Sequence, residues 1–406
     1  MSNFKSDSAL LVDLYELTMA AGYFYHNYNP VVTFELFARY LPENRNYLIA
    51  SGIEDAINFV LNLKFEKDEI EYLRSLDQFK NVGEDFFKYL ENFNFSGNIY
   101  AVREGELIFA NEPILQIEAP LIEAQILETY LLASINFQTS VASKASRIVQ
   151  AAQSDGIFRG VMEFGSRRAH GPEAGVLAAR ASYIAGCIGT SNVLAGYKFD
   201  IPVYGTAAHS WTLAFENELE AFKKYSEVFP ESSIYLIDTY NTINGAVNAT
   251  RTGYKFIGVR IDSGDLAENS KKVRKILDEN GFVSAKIIVS GDLNEYKIEK
   301  LVKAKAPIDS FGVGTQLSTS ADAPYIPVVY KLVEVEKDKS RVFKAKFSPE
   351  KQTYPGRKQI YRIEENGFFK KDFIDLANSE IQPNGNKLLL QWVKNGEQVA
   401  GFPDLE

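Results

Sequence analysis

One cysteine in 406 residues, Cys187, rules out an intramolecular disulfide, and three histidines (His26, His170, His209) leave a Cys/His zinc site short of ligands. Any metal bound here would be held through oxygen. No run approaches the roughly 18 uninterrupted apolar residues that a membrane-spanning helix requires. The apolar stretch nearest the N-terminus is broken by Asp13 and Glu16 and has neither a basic flank nor a small-residue cleavage site. This predicts no signal peptide and no membrane association, hence a cytoplasmic protein. Positive charge is also short: a net charge of -9 and a pI near 5.2 argue against binding nucleic acid, which depends on lysines and arginines displacing counterions from phosphates. A small anionic ligand needs only a local basic pocket.

What is present is an ordinary globular composition, 46% hydrophobic and 24% charged, with length for two domains or a barrel with additions. Leu10, Leu14, Leu17 and Ala21 fall on one helical face between Asp7 and about Tyr25, with Asp7 or Ser8 available as N-cap. Strand-like runs follow at 31–37, 99–102 and 114–117, with helical patterns at 53–63, 68–76 and 86–90. A long apolar helical pattern follows from Ile122 to about Ala152, with a break near Asn136.

After that the rhythm changes. Short apolar runs recur at 161–164, 201–204, 234–237, 256–261, 286–289 and 310–313, and each but the last is followed by a polar loop and a helical segment. Repeated strand, loop and helix predict a parallel sheet with crossover helices, closed into a barrel, with chemistry at the strand ends. Beyond Pro327 the pattern returns to strands (328–335, 342–347, 359–363) that could extend the first sheet. The reading is α/β: an α/β sandwich domain of residues 1–135 with 330–406, and an α/β barrel of residues 136–329.

The strand ends carry the candidates. Glu163-Phe-Gly-Ser-Arg-Arg-Ala-His-Gly-Pro-Glu-Ala-Gly175 puts Arg167 and Arg168 in a loop where guanidinium forks suit phosphate oxygens; the alternative is an ion pair with Glu163 or Glu173. His170 reads as readily as a structural hydrogen-bonding group. Gly189-Thr190-Ser191-Asn192-Val193 permits close backbone approach to a ligand, or marks a tight helix–strand junction. In Gly205-Thr-Ala-Ala-His209-Ser210 the histidine lies between a strand and a helix with apolar face Trp211, Phe215, Leu219 and Phe222, Ser210 being a natural N-cap. There an imidazole can act as base or as nucleophile toward a phosphoryl group.

Asp238 and Asp262 each end an apolar run, where paired acids can bind ribose hydroxyls, hold magnesium or stabilise a developing cation; a helix N-cap is the plainer role, which suits Asp265. Arg260, two residues before Asp262 in a strand, shares its face, and a charge facing a barrel interior needs a partner or a ligand such as a carboxylate. Ser290-Gly291-Asp292 and Phe311-Gly312-Val-Gly314-Thr315 occupy the last two loops of the series, a common place for a phosphate on backbone amides.

Taken in order, EFGSRRAHGPEAG, GTSNV, GTAAHS, LIDTYNT, GVRIDSGDL, VSGDL and FGVGT, with Asp13-Leu-Tyr-Glu-Leu-Thr-Met19 near the N-terminus, strongly resemble nicotinate phosphoribosyltransferases. The resemblance implies an open-faced α/β sandwich joined to an irregular, TIM-like barrel, and a homodimer with shared active sites. It implies nicotinate and phosphoribosyl pyrophosphate as substrates, ATP as co-substrate and Mg2+ as cofactor, in NAD biosynthesis. His209 would be transiently phosphorylated; Tyr15 would reach the partner's nicotinate ring; Arg260, Thr190 and Ser191 would border the pyridine carboxylate. Asp238 and Asp262 would face ribose and magnesium. Ser290, Gly291, Gly312, Gly314 and Thr315 would surround the 5'-phosphate, and Arg167, Arg168, Lys144 and Glu163 are further candidates toward the substrate.

Two features depart from the family's pattern: Asn241 stands where the family often has aspartate, and the chain is short for the family. The competing readings are nicotinamide phosphoribosyltransferase, which places an acid at the position of Ser191, quinolinate phosphoribosyltransferase, which needs a more basic pocket, and a barrel that binds phosphometabolites without catalysis.

Overall fold

The computed structural model describes residues 8–348, 351–380, 382–403 and 405. The chain divides into two compact units: one runs as far as Ser140 and resumes at Tyr325, the other is Val141–Pro324.

In the first unit the β-branched and aromatic run Val31–Ala38 is an interior strand of a seven-stranded antiparallel sheet and is buried along nearly its whole length. Pro113–Pro120 pairs with it on one side and Val328–Lys337 on the other, so the chain's return completes the sheet. Helices Ile53–Asn62, Lys67–Ser75 and Glu84–Glu91 contribute their apolar faces to the same core, with Ile57, Ile70 and Leu90 fully buried. A second sheet is built on the hairpin of Lys358–Glu365 and Phe368–Leu376. The latter strand, largely exposed, lacks the alternation that would have revealed it.

The N-terminal helix is Leu14–Tyr25, shorter than the spacing predicts, and Asp13 occupies its N-cap position. Asp7 lies outside the described residues, and Ser8 instead donates to Glu69 Oε1 at 2.5 Å. The break expected near Asn136 falls earlier: Leu121–Gln125 is a short helix, and Glu128–Ala152 continues unbroken past Asn136. Asn136 turns its amide oxygen to the backbone N–H of Ile326 at 2.8 Å.

The second unit holds six parallel strands: β1 (Gly160–Glu163), β2 (Gly189–Thr190), β3 (Ile234–Leu236), β4 (Gly258–Ile261), β5 (Lys286–Val289) and β6 (Ser310–Val313), in the order β2-β1-β6-β5-β4-β3. The class is α/β. Each strand is short, buried and rich in β-branched residues or glycine, as a sheet covered on both faces requires. The segment read as a strand at 201–204 forms only an isolated bridge, Val203 to Thr190, whereas Gly189–Thr190, with its tight-junction composition, is the strand. No ladder joins Val203 to β3 among the described residues. The loop that follows Val203 nevertheless touches the far end of the sheet through side chains: Thr206 meets Arg260 on β4, and His209 meets Thr239 after β3.

Candidate active site

Parallel strands leave their C-terminal ends and the following loops on one side, and here those ends bring most of the expected residues together. Arg260 is central. Its Nε donates to Ser290 Oγ at 2.7 Å, one terminal nitrogen to Thr206 Oγ1 at 2.9 Å and the other to Asp262 Oδ1 at 2.6 Å. Its guanidinium carbon stands 5.8 Å from the centre of the Phe164 ring. A planar cation fixed by three hydrogen bonds beside an aromatic wall is rigid before any ligand arrives.

Asp262 shares the face of Arg260, as their spacing predicts, and also accepts from the Ser290 hydroxyl. Burial pushes the pKa of Asp262 up, but the Ser290 hydroxyl and the Arg260 guanidinium outweigh it and hold the carboxyl below its ordinary value. The side chain of Asp238 is almost fully buried. Its Oδ2 accepts from the Asp262 backbone at 2.9 Å and from Ser263 Oγ at 2.6 Å. Its Oδ1 has no hydrogen-bond partner among the described residues and lies 3.8 Å from His209 Nε2.

His209 is the first residue of the helix His209–Leu213, preceded by Ala208 at the N-cap position; Ser210 is inside the helix and caps nothing. The expected long apolar helix is in fact two, because Asn217 caps a second at Glu218–Val228. The imidazole is partly exposed, with Nδ1 3.1 Å from Thr239 Oγ1.

The glycine loops fit an anion. Gly291 has φ +94°, and a Cβ there would lie 1.9 Å from the Asp262 carbonyl oxygen, so no other residue fits. A Cβ on Gly312 would meet the Phe164 ring at 2.5 Å. The backbone amides of Gly291, Gly314 and Thr315 donate to no acceptor among the described residues. Arg167 and Arg168, exposed on the turn Ser166–Arg168, make no ion pair among those residues, so neither is held by Glu163 or Glu173.

Other candidates stand differently. Glu163 is fully buried and faces protein donors, Thr190 Oγ1 at 2.7 Å and the Gly165 amide; burial raises its pKa against their opposing effect. Thr190 is buried and Ser191 is exposed beside it. Lys144 is not brought to the site: its ammonium is buried between Glu295 (2.5 Å) and Asp322 (2.8 Å), so a pyrophosphate contact is not available to it. Tyr15 belongs to the first unit, where its half-exposed phenol has its pKa raised by burial and by the carboxylate of Glu128. Sequence reasoning missed Phe164, Thr206, Thr239 and Ser263. All four lie inside the motifs, and three are small hydroxyl residues of the kind any turn contains.

Residues 10–136 match the model of the nicotinate phosphoribosyltransferase (NAPRTase) N-terminal domain, and residues 160–362 that of the nicotinate phosphoribosyltransferase (NAPRTase) family. The chain belongs to the nicotinate phosphoribosyltransferase family. It is 45% identical over 391 residues to a nicotinate phosphoribosyltransferase of Bacillus subtilis, covering 93% of this chain and 78% of the other. With one from Mycobacterium tuberculosis it shares 42% over 397 residues, 96% of this chain and 83% of the other. The crystal structure of human nicotinic acid phosphoribosyltransferase superimposes with a TM-score of 0.83 at 26% identity, over 97% of this chain and 91% of that one. The crystal structure of nicotinate-nucleotide pyrophosphorylase from Pyrococcus furiosus gives 0.80 at 27%, over 100% and 95%. Asn241 has a plain structural use: its side chain caps the helix Thr242–Thr250 by accepting from the Asn244 amide at 3.0 Å, which a neutral amide does as well as a carboxylate.

Proposed function

We propose that the chain joins nicotinic acid to phosphoribosyl pyrophosphate, giving nicotinate mononucleotide and pyrophosphate for NAD synthesis, and couples this to ATP hydrolysis through His209. The observation that carries the reading is Arg260, a fixed planar cation beside the flat Phe164 ring at the sheet's C-terminal end. A planar aromatic ring bearing one carboxylate suits that pair, and the exposed Ser191 sets no opposing charge against it. The amides of Gly291, Gly314 and Thr315, without an acceptor among the described residues, suit the 5'-phosphate, and Arg167 and Arg168, without an ion pair among them, suit the pyrophosphate.

The bond from the anomeric carbon to pyrophosphate oxygen breaks with its electron pair leaving on pyrophosphate, and the pyridine nitrogen's lone pair forms the new bond. No proton moves, so no general base is required. Positive charge develops on the ribose, and Asp262, held ionised, is the carboxylate placed to stabilise it. No group of three or more metal-ligating side chains exists among the described residues. Magnesium commonly binds through one or two carboxylates completed by substrate phosphates, which the unpartnered Asp238 Oδ1 and Asp262 fit. It would neutralise charge on the leaving pyrophosphate.

His209 offers a nitrogen that attacks the γ-phosphorus of ATP, with ADP leaving and the phosphohistidine later hydrolysed. The exposed phenol of Tyr15 supports a homodimer in which it reaches the partner's ring. No helix of the described residues is long and apolar enough to cross a membrane, and we assign the enzyme to the cytoplasm. Incubation with labelled nicotinate, phosphoribosyl pyrophosphate and magnesium tests the reading: labelled nicotinate mononucleotide is expected, and turnover of nicotinamide or quinolinate in its place overturns it.

A further inference from the structure

Glu163 closes β1 between β6, where it pairs with Val313, and β2, where it pairs with Thr190. Its carboxylate is wholly buried and has no cationic partner among the described residues, an expensive arrangement unless every lone pair is used. One oxygen accepts from the amide of Gly165, which opens the turn bearing Arg167 and Arg168; the other accepts from the hydroxyl of Thr190. The Glu163 carbonyl takes the amide of Ser191 at 3.0 Å. Thr190 Oγ1 in turn accepts from the Asn192 amide at 3.0 Å, and Asn192 Nδ2 donates back to Ser166 Oγ at 3.0 Å. The circuit starts and ends on the arginine turn and passes through the Thr190–Ser191 loop.

We propose that Glu163 is a positioning residue that locks these two loops into one unit, so that the seats for phosphoribosyl pyrophosphate and for nicotinate form together. The inference rests on the assignment of the two loops to the two substrates. An ionised carboxylate accepts on both oxygens, whereas a glutamine that kept the Gly165 amide would reverse the bond to Thr190, leaving the proton of that hydroxyl without its acceptor. Space is as tight as the chemistry, because a Cβ on Gly165 would lie 2.8 Å from Glu163 Oε1 and 2.4 Å from Ser318 Oγ. The arginine turn is therefore built against this carboxylate.

Coupling predicts an effect at a distance. Thr190→Val removes the hydroxyl link, keeps the side-chain volume and touches no residue of the arginine turn. Calorimetric binding of phosphoribosyl pyrophosphate with magnesium but without nicotinate should weaken about tenfold in Thr190→Val, the scale of one buried donor or acceptor left unmatched. Thr190→Ser should restore it. Glu163→Gln should weaken phosphoribosyl pyrophosphate and nicotinate alike. Wild-type affinity for phosphoribosyl pyrophosphate in Thr190→Val overturns the proposal, as does a Glu163→Gln enzyme weakened for one substrate only. Should Glu163→Gln fail to fold, the Thr190 pair decides alone. Wild-type protein that binds neither substrate would defeat the functional assignment instead, an outcome visible before any variant is made.

Discussion

The carboxylate of Asp238 accepts the backbone N–H of Asp262 at 2.9 Å, so one strand end is fastened to the next by a side chain where the backbone ladder stops. The last main-chain bond between these strands is Ile237 to the Arg260 carbonyl, at 3.1 Å. Asp238 thereby fixes the backbone from which Asp262 projects, and it keeps one buried oxygen unpartnered toward His209.

Arg260→Lys keeps the charge and loses the fork that grips Ser290, Thr206 and Asp262 together. The expected result is a fall in kcat/KM for nicotinate of about tenfold or more, carried mainly by KM. Steady-state kinetics with saturating phosphoribosyl pyrophosphate reads it, and an unchanged KM would remove Arg260 from the carboxylate seat.

If Ser191 borders the proposed nicotinate seat, Ser191→Asp sets a second carboxylate beside it. Nicotinate should weaken while nicotinamide is spared, so the ratio of their kcat/KM values moves toward nicotinamide by about tenfold or more through like-charge repulsion in a partly dry site. Competition kinetics measures the ratio; no movement means that Ser191 does not border the ring.

On the proposed reading, in which the imidazole would serve phosphoryl transfer and not the glycosidic bond, His209→Ala should abolish ATP stimulation yet leave slow ATP-independent synthesis. Loss of Asp262 should slow the chemical step with or without ATP. Acid-labile label from γ-labelled ATP, present on wild type and missing from His209→Ala, is the check; equal labelling of both would mean that another residue carries the phosphoryl group.

Glu16, fully buried in the N-terminal helix, has its carboxyl pKa raised from 4.5 to about 7, chiefly by burial, against a hydrogen bond from Thr129 and with Glu128 adding to the rise. Below the unfolded value both states hold the proton and the group is neutral for stability. As pH rises from 4.5 to about 7 the unfolded state gives up that proton while the folded state keeps it, so stability declines across this window by on the order of 3 kcal/mol, a loss complete once the folded carboxyl has ionised. Glu16→Gln should therefore raise Tm at pH 8 and change it little near pH 4. Thermal melts at both values decide it, and equal shifts would show that the carboxyl titrates normally.

Much of this was legible where burial and local propensity agree. Lys286–Val289 and Ser310–Val313 are apolar, β-branched or glycine-rich, and bounded by turn residues, and the structure gives them the predicted bounds. The grouping of Asp238, Arg260 and Asp262 in the candidate site was legible from their places at strand ends, and the structure brings the three into contact. Reading failed where long-range geometry decides. Nothing local distinguishes Gly189–Thr190 as a strand, since its pairing comes from Met162 and Glu163. Lys144 is taken up by acids 151 and 178 positions away, which no spacing rule anticipates. The apolar spacing through Trp211 and Phe222 is continuous, but Asn217 finds the Glu220 amide and starts a new helix.

The sheet's seam has a consequence for motion. Elsewhere the parallel strands are stitched by backbone hydrogen bonds, whereas the residues after Val203 are tied to the ends of β3 and β4 by Thr206 and His209 side chains. Side-chain ties open one at a time and a ladder opens as a whole, so amide exchange should be faster from Gly205 to His209 than along β5 and β6. The imidazole that would carry the phosphoryl group thus sits on a stretch tied by side chains, where a gain or loss of charge need not break a backbone ladder.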